Sequence, residues 1–156
     1  MIGLLQRVTE ARVEVDAEIV GRIGPGLLVF LAAEPNDGPA EADRLVERIL
    51  GYRVFADAAG RMNLSVRDTG GGVLLVPQFT LAADTRKGLR PSFTSAATSG
   101  HGRAMFEHAV AQARAELGDR VASGCFGAHM RVSLVNDGPV TFWLYTAPPR
   151  RPGDRE

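Results

Sequence analysis

Residues 27–32 (LLVFLA) are six consecutive apolar side chains set directly behind the breaker Gly24-Pro25-Gly26. A run this short between turn residues is read as a strand covered on both faces rather than as a helix. Such a strand needs a packed layer on either side. A chain of 156 residues with 45% hydrophobic content can bury a real core to supply those layers and is too short for two ordinary domains.

The remaining segments supply candidates for the layers. Residues 4–15 end in an alternation (Ala11, Val13, Val15) that suits a half-buried strand, with Asp16 and Ala17 turning it into a second strand over 18–23. Behind a loop over 35–38, Ala42, Leu45, Val46, Ile49 and Leu50 repeat at helical spacing up to Gly51, with charged residues on the opposite side. Short strands are expected over 53–55 and 62–66 around an Ala59-Gly60 turn. Three glycines, 70–72, lead into another apolar strand over 73–76. A second helix is expected over 102–117, with Ala104, Met105, Ala109, Val110, Ala113 and Leu117 as its buried stripe and Gly118 at its end. Two final strands, 130–135 and 140–145, flank Asn136-Asp137-Gly138-Pro139. The pattern predicts an α/β fold: a mixed, barrel-like sheet with two helices on one face, in a single compact domain over 1–147. The tail 148–156 (PPRRPGDRE) has nothing to bury and is expected to be loose.

Eighteen basic and eighteen acidic side chains cancel, so any polyanion must be held by a local patch rather than by the field of the whole protein. One cysteine, Cys125, allows no internal disulfide. The first residues lack the apolar core of a secretion signal, and no run reaches the length of a membrane span. A cytoplasmic protein without membrane partners is the expectation.

Catalytic inventories are sparse. His101, His108 and His129 have no HExxH spacing and sit beside no cluster of carboxylates, so no metal or other cofactor is called for, and surface or packing roles are expected. Cys125 with His129 forms a thiol and imidazole pair that would suit nucleophilic catalysis, whereas Gly124 and Gly127 argue against a helix aligning them. Gln78 and Thr80, at the end of an apolar strand, either orient a ligand beside backbone N–H donors or satisfy one another. Residues 136–139 are either a hairpin turn or something more specialised. The stretch 82–100 shows no period. It reads as a long loop carrying Arg86, Lys87 and Arg90, of a length that in compact domains is functional or disordered.

Taken together, Pro77-Gln78-Phe79-Thr80-Leu81 and Asn136-Asp137-Gly138-Pro139-Val140-Thr141 resemble the two signatures of the D-aminoacyl-tRNA deacylase family. The likeness extends through Gln6-Arg7-Val8, GRMNLS from Gly60, KGLRPSF from Lys87 and FGAHM from Phe126, in the family's order. One position departs: the family's serine is here Pro77, which has no N–H and no hydroxyl.

The resemblance implies a homodimeric, metal-independent hydrolase that cleaves the ester between a tRNA 3′ end and a D-amino acid. It further implies that Gly138 and Pro139, joined by a cis peptide, enter the partner's site and reject L-aminoacyl groups by collision, with Arg7 bracing that loop. Glycyl-tRNA, lacking a side chain, is expected to pass. Gln78, Phe79 and Thr80 are the implied catalytic segment, with N–H groups of Phe79 and Thr80 as oxyanion donors and Thr80 as either nucleophile or bystander. Phe79, Ala96, Phe126 and Met130 are expected around the terminal adenosine, and Pro77 is counted with Arg7 among the substrate-binding residues. Arg86, Lys87 and Arg90 are expected to meet tRNA phosphates.

Overall fold

The computed structural model of the chain describes residues 1–146. The expected tail over 148–156 lies outside the described residues. Strand β1 (Ile2–Val15) pairs antiparallel with β2 (Glu18–Ile23), β3 (Gly26–Ala32) and β8 (Arg131–Tyr145). β3 runs parallel to β6 (Gly72–Pro77), which runs parallel to β7 (Val121–Ser123). A separate ribbon joins β4 (Phe55–Ala56) and β5 (Met62–Leu64).

The apolar run is buried on both faces, and its parity shows why. Leu27 and Val29 of β3, with Val73 and Leu75 of β6, join helices α1 (Pro39–Gly51) and α3 (Ser99–Leu117) in one core. Leu28, Leu74 and Val76 point the other way into a second core with Val8, Val13 and Ile23, inside the curl of the sheet. The result is a compact α/β fold whose sheet nearly closes into a barrel. Closure requires glycine at the seam: a Cβ on Gly21 of β2 would lie 2.7 Å from the Ser123 carbonyl oxygen of β7. At the other crossing a Cβ on Gly26 would lie 1.9 Å from the Gly72 carbonyl oxygen.

Several expectations need correction. Among the described residues there are three α-helices rather than two. The strand expected over 62–66 stops at Leu64 because Ser65 and Asp68 cap one another: the Ser65 N–H donates to Asp68 Oδ2 (2.8 Å) and the Asp68 N–H to Ser65 Oγ (3.3 Å), opening α2 (Val66–Thr69). α3 starts at Ser99, ahead of the expected residue 102, because Thr98 Oγ1 accepts the His101 N–H. Its buried stripe takes Phe106, while Ala104 is exposed. β7 was not expected at all. The long loop is partly ordered by a 3-10 turn (Phe79–Ala82) and a two-residue bridge between Asp84 and Ser92.

The largest correction concerns the two strands expected over 130–135 and 140–145, which are one strand, β8, over 131–145. Both halves of β8 pair with the same β1, running the same way. Between the pairs Val8↔Asn136 and Gln6↔Thr141, β1 advances by two residues while β8 advances by five. The surplus chain is expelled as a bulge.

Candidate active site and the bulge on strand β8

Asn136 and Thr141 close the neck of that bulge. Asn136 Oδ1 accepts the Val140 N–H (2.9 Å), and Asn136 Nδ2 donates to Thr141 Oγ1 (2.9 Å), which also accepts from Gln6 Nε2 (3.2 Å). Gly138 sits at φ +138°, where a Cβ would lie 2.6 Å from Val140 Cγ2 and 3.1 Å from Arg7 Nη2. Any side chain there is excluded on both counts. The Gly138–Pro139 peptide is cis, and both residues are exposed. Arg7, on the stretch of β1 opposite the bulge, donates through Nε to the Asp137 carbonyl (3.0 Å) and through Nη1 to the Val54 carbonyl (2.6 Å). The bulge is thus exposed, yet fixed at its neck and from beneath.

A cavity of about 540 Å³ opens elsewhere, beyond the C-terminal ends of β3 and β6. β6 ends there with Pro77, paired with Leu31 and without an N–H of its own. The last rung is the Gln78 N–H on the Leu31 carbonyl (2.7 Å), after which the chain tightens into the 3-10 turn. At the start of that turn, the N–H groups of Phe79 and Thr80 have no acceptor among the described residues. This is the general situation of a helical N-terminus. The Gln78 side-chain amide donates to Thr80 Oγ1, so these two side chains do satisfy one another.

The cavity gathers Pro77, Gln78, Phe79, Ala96, Phe126 and Met130, residues that the resemblance names. Phe79 (54% exposed) and Phe93 (43%) form a tilted pair at the mouth, with ring centroids 5.2 Å apart. Across from them Phe126 packs on Phe106 at 6.4 Å, with the Arg103 guanidinium 5.0 Å from its centroid. Pro77 lies against Gly124, where a Cβ would be 3.3 Å from Pro77 Cδ and 2.8 Å from Met130 Sδ. Pro77 therefore presents a hydrocarbon ring packed against bare backbone. Among the described residues the wall carries no carboxylate, lysine, arginine or cysteine.

Other expected residues fall outside this wall. Gly138 and Pro139 belong to the bulge, Arg7 lies on β1 beneath it, and Thr80 is exposed just beyond the rim. Cys125 is exposed off the wall, and its N–H donates to Met130 Sδ (3.4 Å); among the described residues it makes no hydrogen bond with His129. Arg86 holds Asp84 through Nε (2.9 Å) and Nη2 (2.6 Å), and these bonds keep the Asp84 carboxyl well below the usual carboxylate range. His101 Nε2 lies 2.7 Å from the Asp37 carbonyl oxygen and His108 Nε2 is 2.7 Å from Asp43 Oδ1, so both tie α3 to α1 or its preceding loop. His129 differs, since it lines the cavity. Sequence reasoning also passed over Phe93, Thr98 and Ser99 on the wall, although Phe93 and His129 sit inside two of the quoted family-like segments.

The D-Tyr-tRNA(Tyr) deacylase family matches residues 4–145. A D-aminoacyl-tRNA deacylase of Thioalkalivibrio sulfidiphilus is 67% identical over 150 residues, covering 96% of this chain and all of that one. One of Paracidovorax citrulli is 64% identical over 149 residues, covering 96% of each. Among solved structures, the c-Myc DNA unwinding element binding protein superposes with a TM-score of 0.90 at 36% identity, over 95% of this chain and 99% of that one. A probable eukaryotic D-amino acid tRNA deacylase superposes at 0.81 over 92% and 97% of the two chains; its 18% identity speaks for the fold alone.

Proposed function

The chain belongs to the D-Tyr-tRNA(Tyr) deacylase family, and on that footing we propose that it is a cytoplasmic, homodimeric hydrolase that removes D-amino acids, and glycine, from the 3′ end of tRNA. The observation that carries this reading is the cavity itself: a wall without carboxylate, lysine or arginine side chains and with an aromatic mouth, beside two N–H groups that have no acceptor among the described residues. A splayed terminal adenosine stacks on aromatic faces such as Phe79, Phe93 and Phe126. Its ester carbonyl then meets the N–H groups of Phe79 and Thr80.

Hydrolysis proceeds by attack of water on that carbonyl. One C–O bond forms, the acyl–ribose C–O bond breaks, and the ribose oxygen leaves with a proton. The negative charge that develops on the carbonyl oxygen is received by the two N–H donors. Holding the ester and water in place supplies much of the remaining rate, so no metal is needed for so activated a bond. Thr80 Oγ1 accepts from the Gln78 amide, which favours Thr80 as an orienting group over a nucleophile.

Chirality is set by refusal rather than by recognition of a side chain. The bulge is rigid and exposed, and it lies off the wall of its own cavity. In a homodimer it reaches the partner's cavity, where the carbonyls of Gly138 and Pro139 occupy the space an L substituent requires. A D substituent points away, and glycine presents none.

The test is deacylation of matched D-tyrosyl-, L-tyrosyl- and glycyl-tRNA by the purified protein, with its mass in solution measured alongside. Loss of the D and glycyl esters with the L ester intact is expected of a dimer. Protection of D and L alike would mean capture without catalysis. Loss of D-activity in Cys125→Ala would move the chemistry to the thiol.

A further inference from the structure

The cationic stretch beyond the 3-10 turn is folded into an arm. Asp84 and Ser92 exchange two backbone hydrogen bonds (2.7 and 3.0 Å), closing a ring of chain that turns at Gly88, φ +70°. Phe93, the next residue, folds back onto Phe79, so the base of the arm is also the lip of the cavity. At the tip Lys87, Leu89 and Arg90 are exposed, and neither cation has an ion-pair partner among the described residues.

Arg86 is placed differently. Its backbone N–H, Nε and Nη2 all donate to the Asp84 carboxylate, at 3.0, 2.9 and 2.6 Å. A two-pronged guanidinium to carboxylate pair of this kind has fixed geometry and little net charge to offer a third group. Here it spans the first turn of the arm and sits beside the closing bridge. In a chain with no net charge, the two tip cations are what the arm presents to a polyanion.

We infer that the Asp84–Arg86 pair is a latch that shapes the arm, and that Lys87 and Arg90, not Arg86, meet the phosphates of the RNA strand whose 3′ end occupies the cavity. This rests on the function proposed above, which makes that strand a tRNA. It divides three residues that look equivalent in the sequence into a positioning residue and two contacts.

Measuring the affinity for uncharged tRNA between 50 and 200 mM salt tests the division. Each phosphate contact contributes roughly 0.7 to 0.9 to the slope of log affinity against log salt. Lys87→Gln and Arg90→Gln are each expected to lower the slope by about that amount. Arg86→Gln and Asp84→Asn are expected to weaken binding about two- to tenfold at every salt concentration, through lost preorganisation, with the slope unchanged. Combining them should add nothing to either alone. Tighter binding and a steeper slope in Asp84→Asn would show that Arg86, once released, is itself a phosphate ligand, and would overturn the latch. Unaltered slopes in both tip variants would overturn the contacts. Failure of the functional reading looks different: the wild-type protein would leave D-tyrosyl-tRNA intact whatever the slopes.

Discussion

Replacing Arg7 by alanine removes the brace beneath the bulge while leaving the cavity wall untouched. The Arg7 side chain is 16% exposed and serves two backbone carbonyls, those of Val54 at 2.6 Å and Asp137 at 3.0 Å. A hydrogen bond from a charged donor contributes about 1.5–3 kcal/mol. The Val54 bond is partly buried and belongs to the upper part of that range. The Asp137 bond lies beside a half-exposed residue, where water replaces much of what is lost. Together they give an expected destabilisation of about 2–4 kcal/mol, or roughly 5–15 °C in melting temperature for a domain of this size. Function should suffer unevenly. A bulge that yields no longer excludes the L substituent, and each 1.4 kcal/mol of lost refusal is about a tenfold loss of discrimination. L-tyrosyl-tRNA should therefore become a substrate, by about ten- to a hundredfold, with a smaller change for the D ester. Arg7→Lys keeps the charge but not the fork, and should fall between the two. Thermal unfolding and single-turnover deacylation of both esters read these effects. An unchanged melting temperature would refute the brace. A lowered one with the D/L ratio intact would refute the link between the bulge and chirality.

Gly26→Ala places a Cβ 1.9 Å from a backbone oxygen that cannot move without parting β3 from β6, so a loss at or beyond the top of the ~1–3 kcal/mol range for overpacking is expected in urea unfolding; wild-type stability would contradict it. Gly124→Ala instead presses on the movable end of Met130, 2.8 Å away, and should cost only about 1 kcal/mol in stability while pushing sulfur into the cavity and raising KM for D-tyrosyl-tRNA; an unaltered KM would count against the site. The Asp57 carboxylate accepts from the N–H groups of Arg61 (3.0 Å) and Ala59 (2.8 Å), which hold it below the usual range. Its contribution is then complete above the unfolded pKa of about 3.9 and is lost as pH falls through that value towards the folded one. Asp57→Ala should melt below wild type at pH 7, with the two curves meeting in acid; curves that stay parallel would show that the carboxylate is not the cause.

The layers were legible because burial writes itself along the chain. The continuous run at 27–32 announced a strand covered twice, and the spacing of Leu45, Ile49 and Leu50 announced a helix with one wet face. The signatures around Gln78 and Gly138 were legible too, as short strings whose residue types have few alternatives. What failed had no period to read. β7 is three residues long, and α2 depends on the reciprocal cap of Ser65 and Asp68.

The bulge shows where sequence ends and tertiary structure begins. Asn136-Asp137-Gly138-Pro139 has the composition of a hairpin turn, and nothing local contradicts that. The decision lies in β1, which is long enough to pair with both halves of β8 and so keeps the chain straight while the surplus residues are forced outwards. The sequence by itself determined which residues are buried and which short strings are unusual. Only the tertiary structure decided that the strings lie in two places, a cavity and a braced projection, and that Arg86 answers to Asp84 rather than to solvent. Local pattern carries hydrophobic period and turn chemistry. Strand register and charge pairing are set by partners supplied through the fold, and no short window of sequence contains those partners.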